Sequence, residues 1–235
     1  MEIKNGRAGL NSVTFESETH RATATRKGKN IVVTKEVINN KPTNLDKYIS
    51  KVPFVRAYWA FFKLLANKFG AMYFLVCVIL SYILVKYTPN SPEGSFNFKL
   101  FIIPLFIIMF FQMFTALPHY HGAEHKVAND YDKHRKTSVG TAIRESCVNI
   151  NCGTNLFVGL MLVSILIYPV TNYLSILIGW GLNYELMRKT DNKVIKNIVR
   201  GIDYIGNTLQ KYVFTKEPSR EQLEVAVKAV RALEE

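Results

Sequence analysis

Three cysteines in 235 residues are too few for a disulfide framework. Cys77 falls in an apolar run. Cys147 and Cys152 are expected on a reducing side, where a bridge is not expected and a thiol or thiolate role stays open. The first fifty residues lack the apolar stretch that forms the core of a secretory signal, so none is expected. Internal repeats and low-complexity tracts are also missing. Acid is scarce, with 18 Asp and Glu against 30 Lys and Arg and a net charge of +12. Charge of either sign nearly vanishes from two blocks, roughly 69–117 and 155–187, where the apolar residues collect. A soluble chain spreads both classes, whereas this one segregates them and reads as a membrane protein. The basic excess then needs no nucleic acid, and none is expected as a partner.

What is there starts with two uncharged runs. Gly70 to Val85 lies between Lys68 and Lys86, and Leu100 to Leu117 contains one proline, Pro104. A helix needs about 20 apolar residues to cross the hydrocarbon, with about 17 at the short end. Each run therefore predicts a span, about 69–86 and 99–117. Asn155–Val170 and Tyr173–Leu186 are shorter and are separated by a turn-like Tyr-Pro-Val-Thr-Asn. They fit two short spans or a re-entrant hairpin. Of the basic residues only Lys86 and Lys99 flank the loop between the two runs. Because positive residues stay cytoplasmic in short loops, both termini and residues 118–154 are expected in the cytoplasm of a multi-pass protein of the cell membrane.

The expected fold is a mainly α membrane protein with two full spans, two shorter membrane segments, a small N-terminal β-hairpin or sheet and C-terminal cytosolic amphipathic helices. Its domains are 1–52, 53–187 and 188–235. The stretches around Arg26-Lys27-Gly28-Lys29-Asn30 alternate as strands of a hairpin, and Ser12–Glu18 adds a third strand. Residues 53–68 read as an interfacial helix, with packing on the β-region as the rival. Ser219 and Gln222 form a capping box before the last helix. The apolar faces of the 53–68 and 194–213 helices fit a bilayer or a second subunit equally.

The chemistry concentrates in HYHGAEHK, residues 119–126. On a helix His121 and His125 are separated by about 40° around the axis, so both imidazoles can reach one ion, and Glu124 lies on the adjoining face. H-x-x-E-H inverts the metalloprotease pattern in which two histidines hold zinc and the glutamate is the base. His119 points elsewhere on a helix and is a supporting or capping residue. A catalytic zinc wants a third protein ligand and an open position. Glu185, the acid at the end of the second apolar block, and Cys152 are the first candidates, with Glu145 behind them. Pairing with Arg188 is the alternative for Glu185. Asp130 and Asp132 are read as facing solvent. The competing reading of the motif is that histidines at a membrane interface cap helix ends or meet lipid phosphates.

These residues resemble the YqhQ-like family of bacterial membrane proteins, which are described as metal-dependent enzymes of undefined activity. The resemblance rests on ALPHYHGAEHK, CGTN, NYELMR and TKEPSREQLEVAVKAV, with a looser match in PFVRAYWAFF, and covers most of residues 53–235. It implies metal ligation by His121 and His125, with Glu124, Cys152, Glu185 and Glu224 in shared motifs. Where the family has His-Pro-Arg before the Cys-Gly pair, this chain has Asn149-Ile150-Asn151. If that histidine is a ligand, Asn149 weakens the site. The N-terminal Asn5-Gly6-Arg7-Ala8-Gly9 stretch is a worn form of the family's glycine-rich motif.

The expectation is a hydrolase at the cytosolic membrane face with a divalent metal, zinc by preference. Its substrate would be a membrane-associated peptide or a lipid-linked phosphate, Glu124 its base, and Lys126 and Arg188 its phosphate-neutralising cations. The alternative is a scaffold in which the motif is structural, with or without metal, and which docks a cytosolic protein.

Overall fold

The computed structural model describes residues 1–235 except 40, 67, 88–106, 108–109, 111, 172–173 and 189–190. The alternating N-terminal sequence forms an antiparallel meander of β1 Asn5–Ala8, β2 Ser12–Glu16, β3 His20–Lys27 and β4 Asn30–Val37, in that spatial order. Gly28 and Lys29 join the hairpin of β3 and β4. Gly28 has a φ of +62°, a conformation that glycine adopts without steric cost. The period-2 pattern puts Val13, Phe15, Ala22 and Ala24 on one fully buried face.

The helices among the described residues are α1 Asn44–Ile49, α2 Val55–Ala66, α3 Lys68–Tyr87, α4 Leu117–His134, α5 Val139–Ala142, α6 Gly153–Thr171, α7 Ser175–Leu186, α8 Lys193–Leu209 and α9 Arg220–Glu234. A π-helical turn, Gln210–Phe214, prolongs α8. The chain forms two compact units. One combines Met1–Pro42, Gln112–Thr154 and Tyr204–Glu235, and the other Thr43–Phe111 and Asn155–Asp203.

In the first unit α4 and α9 cover the buried face of the sheet. α4 starts at Leu117 with Pro118 in its first turn, where a missing N–H costs no helical bond. Its Tyr120, Ala123, Val127 and Tyr131 enter the core beside Leu223, Val227 and Val230 of α9. The Ser219–Gln222 capping box opens α9 as the sequence predicts. Asp130, expected in solvent, is fully buried, while Asp132 is exposed. The Asp130 carboxylate accepts hydrogen bonds from Thr137 Oγ1 (2.8 Å), Thr141 Oγ1 (2.6 Å) and His134 Nδ1 (3.0 Å). Burial pushes its pKa up, but these donors outweigh burial and leave it below the usual carboxylate value.

The second unit is built the other way round. Gly159 and Ser164 of α6 and Ser175, Gly179 and Asn183 of α7 are buried, while Leu166, Val170 and Leu177 are exposed. A Cβ at Gly159 would overlap the Asn183 side chain, and one at Gly179 would meet Ser164 Oγ. Such close approach over small residues is how helices pack in lipid. Asn183 Nδ2 donates to Leu156 O at 2.8 Å. The helix α2 docks on α7 rather than on the sheet. Trp180 Nε1 donates to Ala57 O (2.7 Å), Tyr58 Oη donates to Leu177 O (3.0 Å), and Phe61 meets Trp180 edge-on at 5.4 Å.

The expectation of two full spans is overturned. Among the described residues one helix, α6, is long and apolar enough to cross a membrane. Its 19 residues measure roughly 28 Å at 1.5 Å per residue, close to the hydrocarbon thickness. The expected break at Pro169 does not end it, because a proline in the last turn forfeits little helix beyond itself. The run at 69–86 passes the same test only jointly with α2, as the pair Val55–Ala66 and Gly70–Leu80 bent by 91°. A Cβ at Gly70 would overlap the Leu64 carbonyl, so glycine permits that turn. Most of the expected span 99–117 lies outside the described residues, and Leu117 belongs to α4. An uncharged run records a preference for an apolar setting and leaves the length of straight helix undetermined.

Candidate metal centre

The helix α4 presents His121, Glu124 and His125 one turn apart, as the H-x-x-E-H spacing predicts. Their orientation comes from two segments distant in sequence. His121 Nδ1 is 3.1 Å from Phe214 O, and His125 Nδ1 is 2.7 Å from Cys147 O. A backbone carbonyl only accepts, so each Nδ1 carries the proton and each Nε2 keeps its lone pair. The rings meet edge-on, with centroids 4.3 Å apart. Cys152, immediately before α6, places Sγ 3.5 Å from His121 Nε2 and 3.3 Å from Thr154 Oγ1. The ligand atoms of His121, His125 and Cys152 all lie within 4.8 Å of one another, a group that could hold a metal ion. Carbonyl-anchored imidazoles with the second nitrogen free are the usual outer support of metal-bound histidine.

Burial sets the protonation of these groups. It lowers His121 and takes His125 down to about 3, helped by the neighbouring His121, so both rings are neutral near pH 7. Glu124 is pushed up to about 8 by burial with no hydrogen bond to offset it. Its Oε2 lies 3.9 Å from His121 Nε2. The Cys152 thiol is raised by burial and, to a lesser degree, by Glu124.

The end of the π-helical turn, from Phe214, and the segment after it form a strap along the start of α4. Lys216 N donates to Pro118 O (2.9 Å), and His119 Nδ1 lies 2.8 Å from Glu217 O. A Cβ at Gly122 would overlap the Lys216 carbonyl and crowd Cys147 Sγ at 3.3 Å, so the glycine of HGAEH lets the strap lie flat on the helix. Lys126 is buried and bonds Ile143 O (3.0 Å), Glu145 O (2.6 Å) and Glu217 Oε1 (2.8 Å). It ties the strap to the loop after α5 and is not free to meet a phosphate. The Cys147 thiol, pushed up to about 12 by burial and the adjacent Glu217, is a protonated packing group.

Other expected residues stand elsewhere. The Glu185 carboxylate is taken by Arg56, through Nε at 2.8 Å and through Nη2, and by Phe54 N at 3.0 Å. It closes an ion pair within the second unit with the second residue of α2, a partner that spacing along α7 could not reveal. Arg188 is exposed just beyond α7. Glu145 pairs with Lys133, and Glu224 with Lys228. Asn149 is spent on the loop: Nδ2 donates to Asn129 Oδ1 (3.0 Å), Oδ1 accepts from Asn151 N (2.8 Å), and its N–H donates to Gln210 Oε1 (3.0 Å).

One neighbour had no signal at the motif. Gly6 of β1 lies directly against Glu124, and a Cβ there would overlap Oε1. The Asn5-Gly6-Arg7 stretch, read as a degraded motif, thus forms a wall of the site.

A family model described as "Protein of unknown function (DUF1385)" matches residues 29–235, which contain all three cluster residues. The chain belongs to this family. Over 154 residues it is 27% identical to "Uncharacterized protein YqhQ" of Bacillus subtilis (strain 168), an alignment covering 60% of this chain and 48% of that relative. The chain therefore spans about half the length of the curated relative it matches. The YqhQ-like membership expected from HYHGAEHK is thereby shown, and β1, β2 and β3 lie ahead of the family match. No solved structure matches.

Proposed function

We propose that this DUF1385 protein is a membrane-associated, zinc-dependent hydrolase that cleaves a peptide bond at the cytosolic face. The observation that carries this reading is the pair of imidazoles locked through Nδ1, with Nε2 turned to the group that includes Cys152 Sγ. Two nitrogens and one sulfur suit zinc, and three protein ligands leave the open position of a catalytic rather than a structural site. An ion so held supplies Lewis acidity and brings the pKa of a water to about 7. Glu124 supplies the proton acceptor. A pKa of about 8 is near enough to neutral for the carboxylate to take a proton and return it to a leaving amine. Peptide is favoured over phosphate because Lys126 is committed to two carbonyls and Glu217. Membrane association is supported by α6 and by the buried small and polar residues beneath an exposed apolar surface.

Zinc content in detergent-purified protein tests the reading, with wild type compared with His121→Ala and Glu124→Gln. Wild type should carry roughly one ion per chain. His121→Ala should lose it with the circular dichroism unchanged. Glu124→Gln should keep it and lose hydrolysis of a fluorogenic peptide library. Zinc-free wild type from zinc-replete cells overturns the proposal. A second reading, a structural lock, is favoured by one observation: His119 and His121 also hold the strap. Unfolding of His121→Ala on metal loss would select it.

A further inference from the structure

The strand β1 is one of the two edges of the sheet, and it is the one that touches Glu124. In the register Gly9↔Ser12, Arg7↔Thr14, Asn5↔Glu16, the Gly9 N–H donates to Ser12 O, which makes alternate residues the hydrogen-bonded ones. Asn5 and Arg7 therefore turn their backbone groups toward β2. Gly6 and Ala8 turn their N–H and C=O outward, where no described residue pairs with them. Gly6 is exposed. The two covering helices divide the sheet between them: α9 lies on β2 and β3, and α4 lies chiefly on β1. A strand added outside β1 at the usual spacing of about 4.8 Å would run over α4, along the side that carries Glu124.

We infer that β1 is the docking strand for substrate, and that the substrate is an extended peptide segment which adds to the sheet edge through Gly6 and Ala8. This rests on the hydrolase reading and sharpens it by naming how the chain to be cut is held. Edge addition draws affinity from main-chain hydrogen bonds and leaves side chains to select. It also straightens the peptide, presenting successive carbonyls at regular intervals past a fixed carboxylate. Glycine at position 6 brings backbone against Glu124 without a side chain between. Free edges are usually blunted by charge or proline against unwanted pairing. Here Asn5 and Arg7 face away from the helices, with Arg7 bound to Glu16 at 2.7 Å, so the edge beside the site is unprotected.

The test uses a pool of capped hexapeptides of Ala, Val and Thr, and the same pool N-methylated at every residue. Binding to the full-length protein is read by slowed amide exchange at Gly6 and Ala8. The unmethylated pool should protect both amides, and the methylated pool should protect neither. Ala8→Pro removes one outward N–H while leaving the β2 ladder intact, and should weaken binding about fivefold, the worth of one net hydrogen bond. His121→Ala should still bind, which separates this inference from the zinc reading: a zinc-free protein that protects Gly6 and Ala8 sinks only the hydrolase. Absence of protection, or equal protection by methylated and unmethylated pools, overturns the docking strand whatever the metal content.

Discussion

The two units solve burial in opposite ways. The first encloses Phe15, Val13, Tyr131 and Leu223 and holds buried charges such as Asp130 and Lys126 in hydrogen bonds. The second encloses Ser164, Ser175, Asn183 and glycines, and turns Leu166 and Val170 outward at 77% and 86% exposure. A water-facing core gains from removing apolar surface from solvent. In lipid that gain vanishes, and close contact over small residues replaces it. One chain thus contains a unit that encloses large apolar side chains and a unit that turns many of them outward. The candidate metal centre lies wholly in the former.

Substitutions sharpen this contrast. The largest effect is expected from Phe15→Ala, which should cost about 3–5 kcal/mol by opening a cavity in the sheet–helix core. Urea unfolding followed by tyrosine and tryptophan signals measures it. Gly122→Ala should cost about 1–3 kcal/mol, because the new methyl meets backbone at Lys216 rather than a movable side chain. Zinc affinity should fall with it as the strap carrying Phe214 O is displaced. Asp130→Asn should cost about 2 kcal/mol at neutral pH through weaker hydrogen bonds, and it tests the sign of a pH effect. The folded-state pKa of Asp130 is depressed. Its contribution is therefore full above the unfolded value near pH 4 and is lost as pH falls through the lower folded value. Melting temperature should drop in that acid window for wild type and flatten in the variant. The smallest effect is expected from Leu166→Ala, within about 0.5 kcal/mol in detergent. A cost matching that of Phe15→Ala would erase the distinction between the units.

Local pattern carried much of this into view beforehand. The i, i+4 spacing of His121 and His125, the turn at Gly28 and the Ser219 capping box are short-range features, and short-range geometry follows from residue type. Cys152 was within reach because it lies in the loop just ahead of an apolar segment, on the side expected to carry HYHGAEHK. The acceptors Phe214 O and Cys147 O were not, since any residue has a carbonyl. Neither was Arg56 as partner of Glu185, 129 residues away. Asp130 looked solvent-bound because its buried donors, Thr137 and Thr141, belong to the following loop and helix. The misread spans have the same origin: composition reports which solvent a segment prefers, whereas the 91° bend at Gly70 is a contact between backbones.

The carbonyl that fixes His121 lies 93 residues downstream of it. During synthesis, α4 emerges and can coil long before that acceptor exists, with its first histidine free to choose either tautomer. The centre is thus completed late, after the intervening apolar helices have been made and the strap has folded back. A ribosome-bound chain stalled before Phe214 would display the whole HGAEH motif and yet hold no trained pair of nitrogens. Chain order thus leaves the orientation of His121 to one of the last segments to be made.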